Sequence, residues 1–597
     1  MVFVLLGVAL LAVPGLDADA LWYDEVKTYQ HAGGAHYGPR SPGAVWAALY
    51  ENAPDQAPGY FVLLNLWARA VGWSEFAVRA LSLLAGLLAV AVVYRAGRDF
   101  FGGVGGYAAA LLLGANAYYI HFLHEARAFG LGMLATAVAI WAYWYLMKVR
   151  LSWRVAVLFA LGALGMLYSH YFIALSLLAL ALYHLLLGPE TGRWWLPVGL
   201  AVPVTLAFTP ALLMLQGGIA KNTENARLQA LAMNPPAILW EMLRYFGNGL
   251  PLAAALLLGL GVLFVLQDVR RSERYVAFVA IAAVLLVLFV NSSVPVLMPG
   301  RERYLAGLWV LLALLATATV MAVWRLQHWA AIGFIAAWVV CGGVVTVTDQ
   351  VVTMDGKSVV AWREMVGQIS DELAPTDVLA FHAPLFPWGT RVPFEFYKAP
   401  LPIRAELVET LEVEPVMQSY VESADRVWLG VDQRYPSEAQ YDTFRGVLAA
   451  DFTVCEEWQW AAITSLSLYA RSEVYCPTDS ALAQFGGHVM LANHTPVQVG
   501  DDGIGVSVQW NRVPGSLGEP YSVGFQLMSG GELVAQQDIG LPPHLTFISH
   551  AALAPNEVST GTYQLNVVVY NWQTGGLLPL ATEETVYTLE VIDVVTD

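Results

Sequence analysis

The sequence predicts a polytopic α-helical membrane protein carrying a soluble, β-rich C-terminal region, and three observations predict its membrane character. Of 597 residues, 57% are apolar and 13% charged, far from the balance of a soluble domain. Apolar runs of roughly 17 to 25 residues, enough to cross about 30 Å of hydrocarbon as helices, recur as far as residue 346 and then stop. Charge divides at the same place: residues 346–597 hold 10 Lys and Arg against 32 Asp and Glu, net −22, whereas residues 1–345 hold 20 against 15, net +5. An acidic tail on a weakly basic membrane body argues against nucleic acid as a partner, because phosphates call for Lys- and Arg-rich surfaces.

Taken in order, the apolar runs place spans at 1–16, 77–96, 104–121, 128–147, 155–168, 170–187, 195–215, 250–266, 275–292, 304–324 and 329–346, eleven in all. The first, MVFVLLGVALLAVPGL, also resembles a signal-peptide core with a small-residue ADA site at 18–20. It lacks the basic start of such signals, so a span is the expectation. Residues 58–72, PGYFVLLNLWARAVG, include Asn65 and Arg69; that stretch is short for a span and suits a helix lying in the interface. The positive-inside rule supports that choice, for it puts Arg95/Arg98, Lys148/Arg150/Arg154, Arg193, Arg270/Arg271/Arg274 and Arg325 on the cytoplasmic side together. The outside then receives a first loop at 17–76, the HEAR segment at 124–127, a long loop at 216–249, the 293–303 loop and the whole tail.

Three domains follow: a membrane domain at 1–346, a small α/β domain at 347–482 and a β-sandwich at 483–597. The middle one mixes a helical pattern, SVVAWREMVGQISDEL, with short apolar strands such as DVLAF and DRVWLGV. The last reads as alternating strands with Gly-rich hairpin turns, as in YSVGFQLMSGGELVAQQDI. Cys341 lies in the last apolar run, while Cys455 and Cys476 lie in the tail. In an extracytoplasmic tail those two can pair, although the spacing suits two separate thiols equally well.

The chemistry-bearing residues gather on the predicted outer face. Asp24 and Glu25, in LWYDEVKT, follow the first span at the membrane surface; read blandly, they are a solvated acidic loop. His124, Glu125 and Arg127, in HFLHEARAFGL, sit between two apolar runs, where ionisable groups cost roughly 3 kcal/mol each and tend to be paired or functional. A Glu125–Arg127 ion pair is their plain reading. His170, in LYSHYFIAL, stands at another outer junction, where a hydrogen-bonded interface histidine is the plain alternative. Arg79 opens its span, and Arg301 and Arg303, in MPGRERYLAGL, open a late one; snorkelling explains a single arginine there, but two are harder to dismiss. Two acids and four guanidiniums at one depth suit a lipid phosphate. A reaction with a phosphate leaving group needs fixed cations where charge develops and a carboxylate to take a proton from the attacking hydroxyl.

Residues 21–187 resemble the bacterial branch of the dolichyl-phosphate-mannose–protein mannosyltransferase family, membrane glycosyltransferases of the GT-C fold. The resemblance rests on LWYDEVKT, DQAPGYFVLLNLWARAVGWSEFAVRALS, RAGRDFFG, HEARAFGL and SHYFIAL, in family order and spacing. It implies inverting transfer of a sugar, mannose-like or another hexose or pentose, from a polyprenyl-phosphate carrier to an acceptor hydroxyl of a protein, lipid or glycan, at the extracytoplasmic face of the plasma membrane. It also implies Asp24 as general base with Glu25 assisting acceptor or base positioning, and it matches Arg79, Glu125, Arg127, His170, Tyr171, Arg303 and Tyr304 to family positions, while the outer-face cluster offers Arg79, Arg127, Arg301 and Arg303 to the donor phosphate. On the outer face, Glu125, His124, His170, Tyr171, Gln56, Tyr60 and Tyr304 are the candidates to bind or support substrate. Two departures stand out. Gln56, Ala57 and Pro58 replace the family's His-Pro-Pro, and Phe129 replaces a tyrosine often found two residues after the arginine.

No metal-ligand spacing stands out, so no obligatory metal is expected, although carboxylates and histidines on the outer face offer ligands to a divalent ion. Two rival readings remain. A lipid or solute transporter would place charges near mid-span and repeat its halves, and neither feature is visible. A non-catalytic glycan-binding or assembly scaffold would rest on the tail, where Trp388, Trp428, Trp510 and Trp572 are candidates to stack on sugars and, more plainly, core residues.

Overall fold

The computed structural model describes residues 1–188, 193–223, 233–265, 270–293, 296–298, 301–348, 360–383, 387–408, 424–432, 445–460, 464–478, 480–500, 503–554 and 560–594. The chain divides into two compact units, Met1–Val359 and Val360–Asp597.

In the first unit, six helices among the described residues are long and apolar enough to cross a membrane. They are Glu75–Phe101, Phe129–Val149, Trp195–Gly217, Arg271–Ser293, Arg303–Leu326 and His328–Val347, and the chain is a multi-pass membrane protein. Val2–Leu16, Gly59–Val71, Gly103–Gly114, Trp153–Ser169 and Ala174–Leu187 are shorter apolar helices. Two stretches depart from the simple run of spans. The segment expected as one span at 104–121 breaks into Gly103–Gly114 and Ala117–Leu123, because Asn116 caps the second piece, its Oδ1 accepting from Tyr119 N at 2.8 Å. The region expected as an outer loop at 216–249 contains the helix Pro235–Phe246, which bends by 107° into Leu250–Gly261. Asn248 at that bend has φ +47, and its buried amide donates to Ala115 O and Trp338 O and accepts from Asn116 Nδ2 and Ala117 N. The two helix breaks thus satisfy each other's backbone, which hydrocarbon would leave unpaired.

The elements that matter for the site are α1 (Val2–Ala12), α2 (Tyr23–Ala32), α3 (Pro42–Asn52), α4 (Gly59–Val71) and α5 (Glu75–Phe101). Helix α2 opens with Asp24 and Glu25 in its first turn, where the helix dipole favours anions. It stops at Gly33, φ +81. Ser41 and Ser74 cap α3 and α5, accepting from Ala44 N and Ala77 N at 3.2 Å each. Gly15 makes room for His124, since a Cβ there would lie 2.3 Å from the imidazole.

Among the described residues, the second unit contains three sheets. One has the order β2-β1-β3-β5-β4, from Val378–His382 (β1), Arg404–Val408 (β2), Arg426–Asp432 (β3), Thr453–Trp460 (β4) and Thr464–Ala470 (β5). β1 runs parallel to β2 and β3, while β5 is antiparallel to β3 and β4. Beside it, Asp377 accepts from Arg426 and from Trp428 Nε1 at 2.8 Å, so Trp428 is a core residue. Cys455 and Cys476 form a disulfide. Of the other sheets, one pairs Glu532–Gly540, Tyr521–Ser529, Gly561–Asn571 and Tyr587–Val594 in that order, and the other pairs Thr546–Leu553, Gly503–Arg512, Val489–His494 and Ala483–Phe485; they enclose a shared core around Trp510, Phe525 and Val567. Trp510 is fully buried and donates to Ser549 Oγ; Trp572 is exposed. The side chain of Trp388 lies outside the described residues.

Candidate functional site

Asp24 and Glu25 are neighbours on α2, yet their carboxylates meet different partners. Glu25, 1% exposed, is gripped by Arg79 from the first turn of α5, with Nε at 2.8 Å from Oε1 and Nη2 at 2.6 Å from Oε2. Its Oε1 also accepts from Ala126 N at 2.8 Å and its Oε2 from Trp22 N at 3.4 Å. The remaining donors of Arg79 go to the carbonyls of Leu16, Asp19 and Ala20. With all five N–H groups engaged, Arg79 binds the end of α1's chain to α2.

Asp24 keeps 16% of its side chain exposed. Its Oδ2 lies 3.0 Å from Arg303 Nη2 and 3.7 Å from Arg127 Nη2. The arginines come from far apart in sequence: Arg127 from the HEAR segment and Arg303 from the 3-10 turn Glu302–Leu308. Arg127 also donates to Asp24 O at 3.3 Å, Thr28 Oγ1 at 3.2 Å and Gln56 Oε1 at 3.4 Å. Its own carbonyl accepts from Ser82 Oγ at 3.1 Å, and Ser82 Oγ lies 3.2 Å from Tyr60 OH. Gln56, in the place of the family's histidine, is therefore an acceptor for this arginine.

Arg303 also lies over aromatic rings, with its guanidinium carbon 4.9 Å from the Trp22 centroid and 5.5 Å from that of Tyr304. His170 packs on Tyr304 at 4.6 Å. The Tyr171 hydroxyl is buried and has no hydrogen-bond partner among the described residues. Tyr23, on α2, has its pKa raised by burial first and by Asp24 next; Arg301 opposes and Asp55 adds to the rise.

Glu125 and His124 face other partners. Glu125 Oε1 lies 3.6 Å from His121 Nε2, and His124 packs against Gly15. The residues that sequence reasoning passed over are Trp22, Thr28, Ser82 and the amide of Ala126. Only Thr28 carried a signal, one helical turn after Asp24. Among the described residues, no group of three or more His, Cys, Asp and Glu is placed to hold a metal ion.

An anionic base flanked by two cations, at the surface of an apolar helical body, can take a proton while a second anion shares the guanidiniums. No curated protein matches the sequence. The chain is similar to the solved structure of ArnT from Cupriavidus metallidurans bound to undecaprenyl phosphate, at 15% identity over 80% of this chain and 99% of that one, with a TM-score of 0.49. It is also similar to the oligosaccharyltransferase of Archaeoglobus fulgidus in complex with Zn and sulfate, at 11% identity over 98% of each chain, TM-score 0.38. Residues 55–215, which carry Gln56, Arg79, Arg127 and His170 of the site, match the model of the dolichyl-phosphate-mannose-protein mannosyltransferase family, the one to which the sequence motifs point.

Proposed function

We propose that the protein is an inverting membrane glycosyltransferase that moves a sugar from a polyprenyl-phosphate carrier to an acceptor hydroxyl on the extracytoplasmic face. Asp24 is the general base, and Arg127 and Arg303 hold the lipid phosphate. The acceptor oxygen attacks the anomeric carbon and the bond from that carbon to the phosphate oxygen breaks. The hydroxyl proton goes to Asp24, and the electron pair leaves with the phosphate. Direct displacement inverts the anomeric centre.

The observation that carries this reading is the division of labour between adjacent acids. Glu25 is consumed by the buried Arg79 fork, so it supports the site without touching substrate, and Arg79 belongs with it rather than with the donor phosphate. Asp24 is partly exposed and shares its arginines. A phosphate arriving at Arg127 and Arg303 competes with Asp24 for their charge, which makes the carboxylate more basic as the acceptor approaches. His170, Tyr171, Tyr304 and Gln56 form the surroundings of substrate in this reading. The family match over residues 55–215 supports a lipid-linked sugar donor, and the Cys455–Cys476 disulfide supports a tail in an oxidising compartment.

The test is incubation of membranes with a panel of labelled polyprenyl-phosphate sugars, reading which protein, lipid or glycan fraction acquires label. Wild type is expected to transfer from one of them, and Asp24→Asn to bind that donor without transferring. A transport or scaffold role predicts that Asp24→Asn is indistinguishable from wild type.

A further inference from the structure

Resting on the transferase reading above, we infer that Trp22 is a positioning residue of the site: its indole holds the Arg303 guanidinium against Asp24, and its backbone ties that arginine to the buried Glu25–Arg79 fork. The two cations at Asp24 are held by different devices. Arg127 is fixed by oxygen acceptors, namely Thr28 Oγ1, Gln56 Oε1 and the carbonyl of Asp24, and each of those bonds occupies an N–H. Arg303 lies over two ring faces, 4.9 Å from the Trp22 centroid and 5.5 Å from that of Tyr304. A ring face attracts a guanidinium through its quadrupole without using an N–H. Holding Arg303 in this way restricts a flexible side chain and keeps its guanidinium within reach of Asp24.

Trp22 can act as an anchor because its own backbone is pinned. It stands at the N-cap of α2 in extended conformation, φ −87 and ψ 175. Its carbonyl accepts from Glu25 N and Val26 N at 3.0 Å each. Its amide donates to Glu25 Oε2, the oxygen that Arg79 Nη2 also holds. One residue therefore couples the rigid, buried fork to the more exposed pair that meets substrate. Tyr304, backed by the His170 ring at 4.6 Å, supplies the second aromatic contact.

The experiment compares wild type, Trp22→Phe and Trp22→Leu in full-length protein, with the labelled donor that wild type uses. Trp22→Leu removes the π face and keeps an apolar side chain. It is expected to raise the donor KM about tenfold with the acceptor KM unchanged. It should also move the acid limb of the pH–rate profile upward, because Asp24 loses a neighbouring cation. Trp22→Phe, with a smaller ring, should fall between the two. A merely structural tryptophan would lower yield and thermal stability while donor KM and acid limb stayed at wild-type values, and that result overturns the inference. If Trp22→Leu does not accumulate, Trp22→Phe carries the test, and an unchanged donor KM and acid limb overturn it. If wild type transfers no sugar from any donor tested, the transferase reading itself falls; wild-type transfer with an indifferent Trp22 sinks the positioning role alone.

Discussion

Arg79 encloses Glu25 in a fork whose two arms measure 2.8 Å and 2.6 Å, with the side chains 4% and 1% exposed. Removing one partner leaves the other charge buried, which costs about 3–5 kcal/mol in such pairs. Glu25→Ala and Arg79→Ala are therefore expected to lower the melting temperature in detergent sharply, while Asp24→Asn leaves it close to wild type. The double variant Glu25→Leu/Arg79→Met should lose less than the two single losses combined, because no unpaired charge remains. Equal melting temperatures for Arg79→Ala and Asp24→Asn would show that the fork does not brace the site.

The membrane body and the acid pair were legible in the sequence because hydrophobic length and charge distribution are one-dimensional properties. The division of labour between Asp24 and Glu25 was not. Consecutive residues on a helix point about 100° apart, and only the position of Arg79 decides which acid is buried. Likewise the aromatic hold on Arg303 joins Trp22 to a residue near the other end of the membrane body, which spacing cannot reveal. The break at Asn116 was hidden for a related reason: an apolar run gives length, whereas one capping side chain stops the helix inside it.

Arg127 meets Thr28 and Gln56 as well as Asp24, and this fork-like use of donors distinguishes arginine from lysine. Arg127→Lys keeps the charge and loses most of that geometry. Steady-state kinetics should show a donor KM raised about tenfold, equivalent to about 1.4 kcal/mol, and Thr28→Val should reproduce part of the rise. An effect confined to the acceptor KM would place Arg127 on the other substrate.

His31, on α2 and 8% exposed, has its pKa lowered to about 4, by burial first and then by the positive charges of Lys27, Arg127 and Arg40. Folded protein excludes a proton here that the unfolded chain binds, so this site's full contribution is present above about pH 6.5. It is lost as the pH falls from there to about 4, and that loss amounts to about 3 kcal/mol. Melting temperatures measured across this window should fall less steeply for His31→Gln than for wild type. Parallel curves would mean that His31 is accessible to protons in the folded state.

His550, on the strand Thr546–Leu553, joins the two parts of the second unit by a 2.9 Å contact between its Nε2 and Asp425 Oδ2. Its Nδ1 lies 2.8 Å from Ser507 Oγ. The hydrogen bond to Asp425 raises the histidine's pKa, burial opposes, and the Asp425 charge adds to the rise. Burial alone would raise the pKa of Asp425, but His550, Thr376 and Arg471 together bring it below its usual value. The histidine's share of stability is therefore fully present below about pH 6.5 and is lost as the pH rises through its elevated folded value. The aspartate's share disappears only in acid, as the pH falls through its depressed folded value. Limited proteolysis of the full-length protein should accordingly cut near this contact faster at about pH 9 than at about pH 6. His550→Gln should abolish that difference, whereas wild-type cleavage rates that do not change over the same range would show that the contact bears no weight.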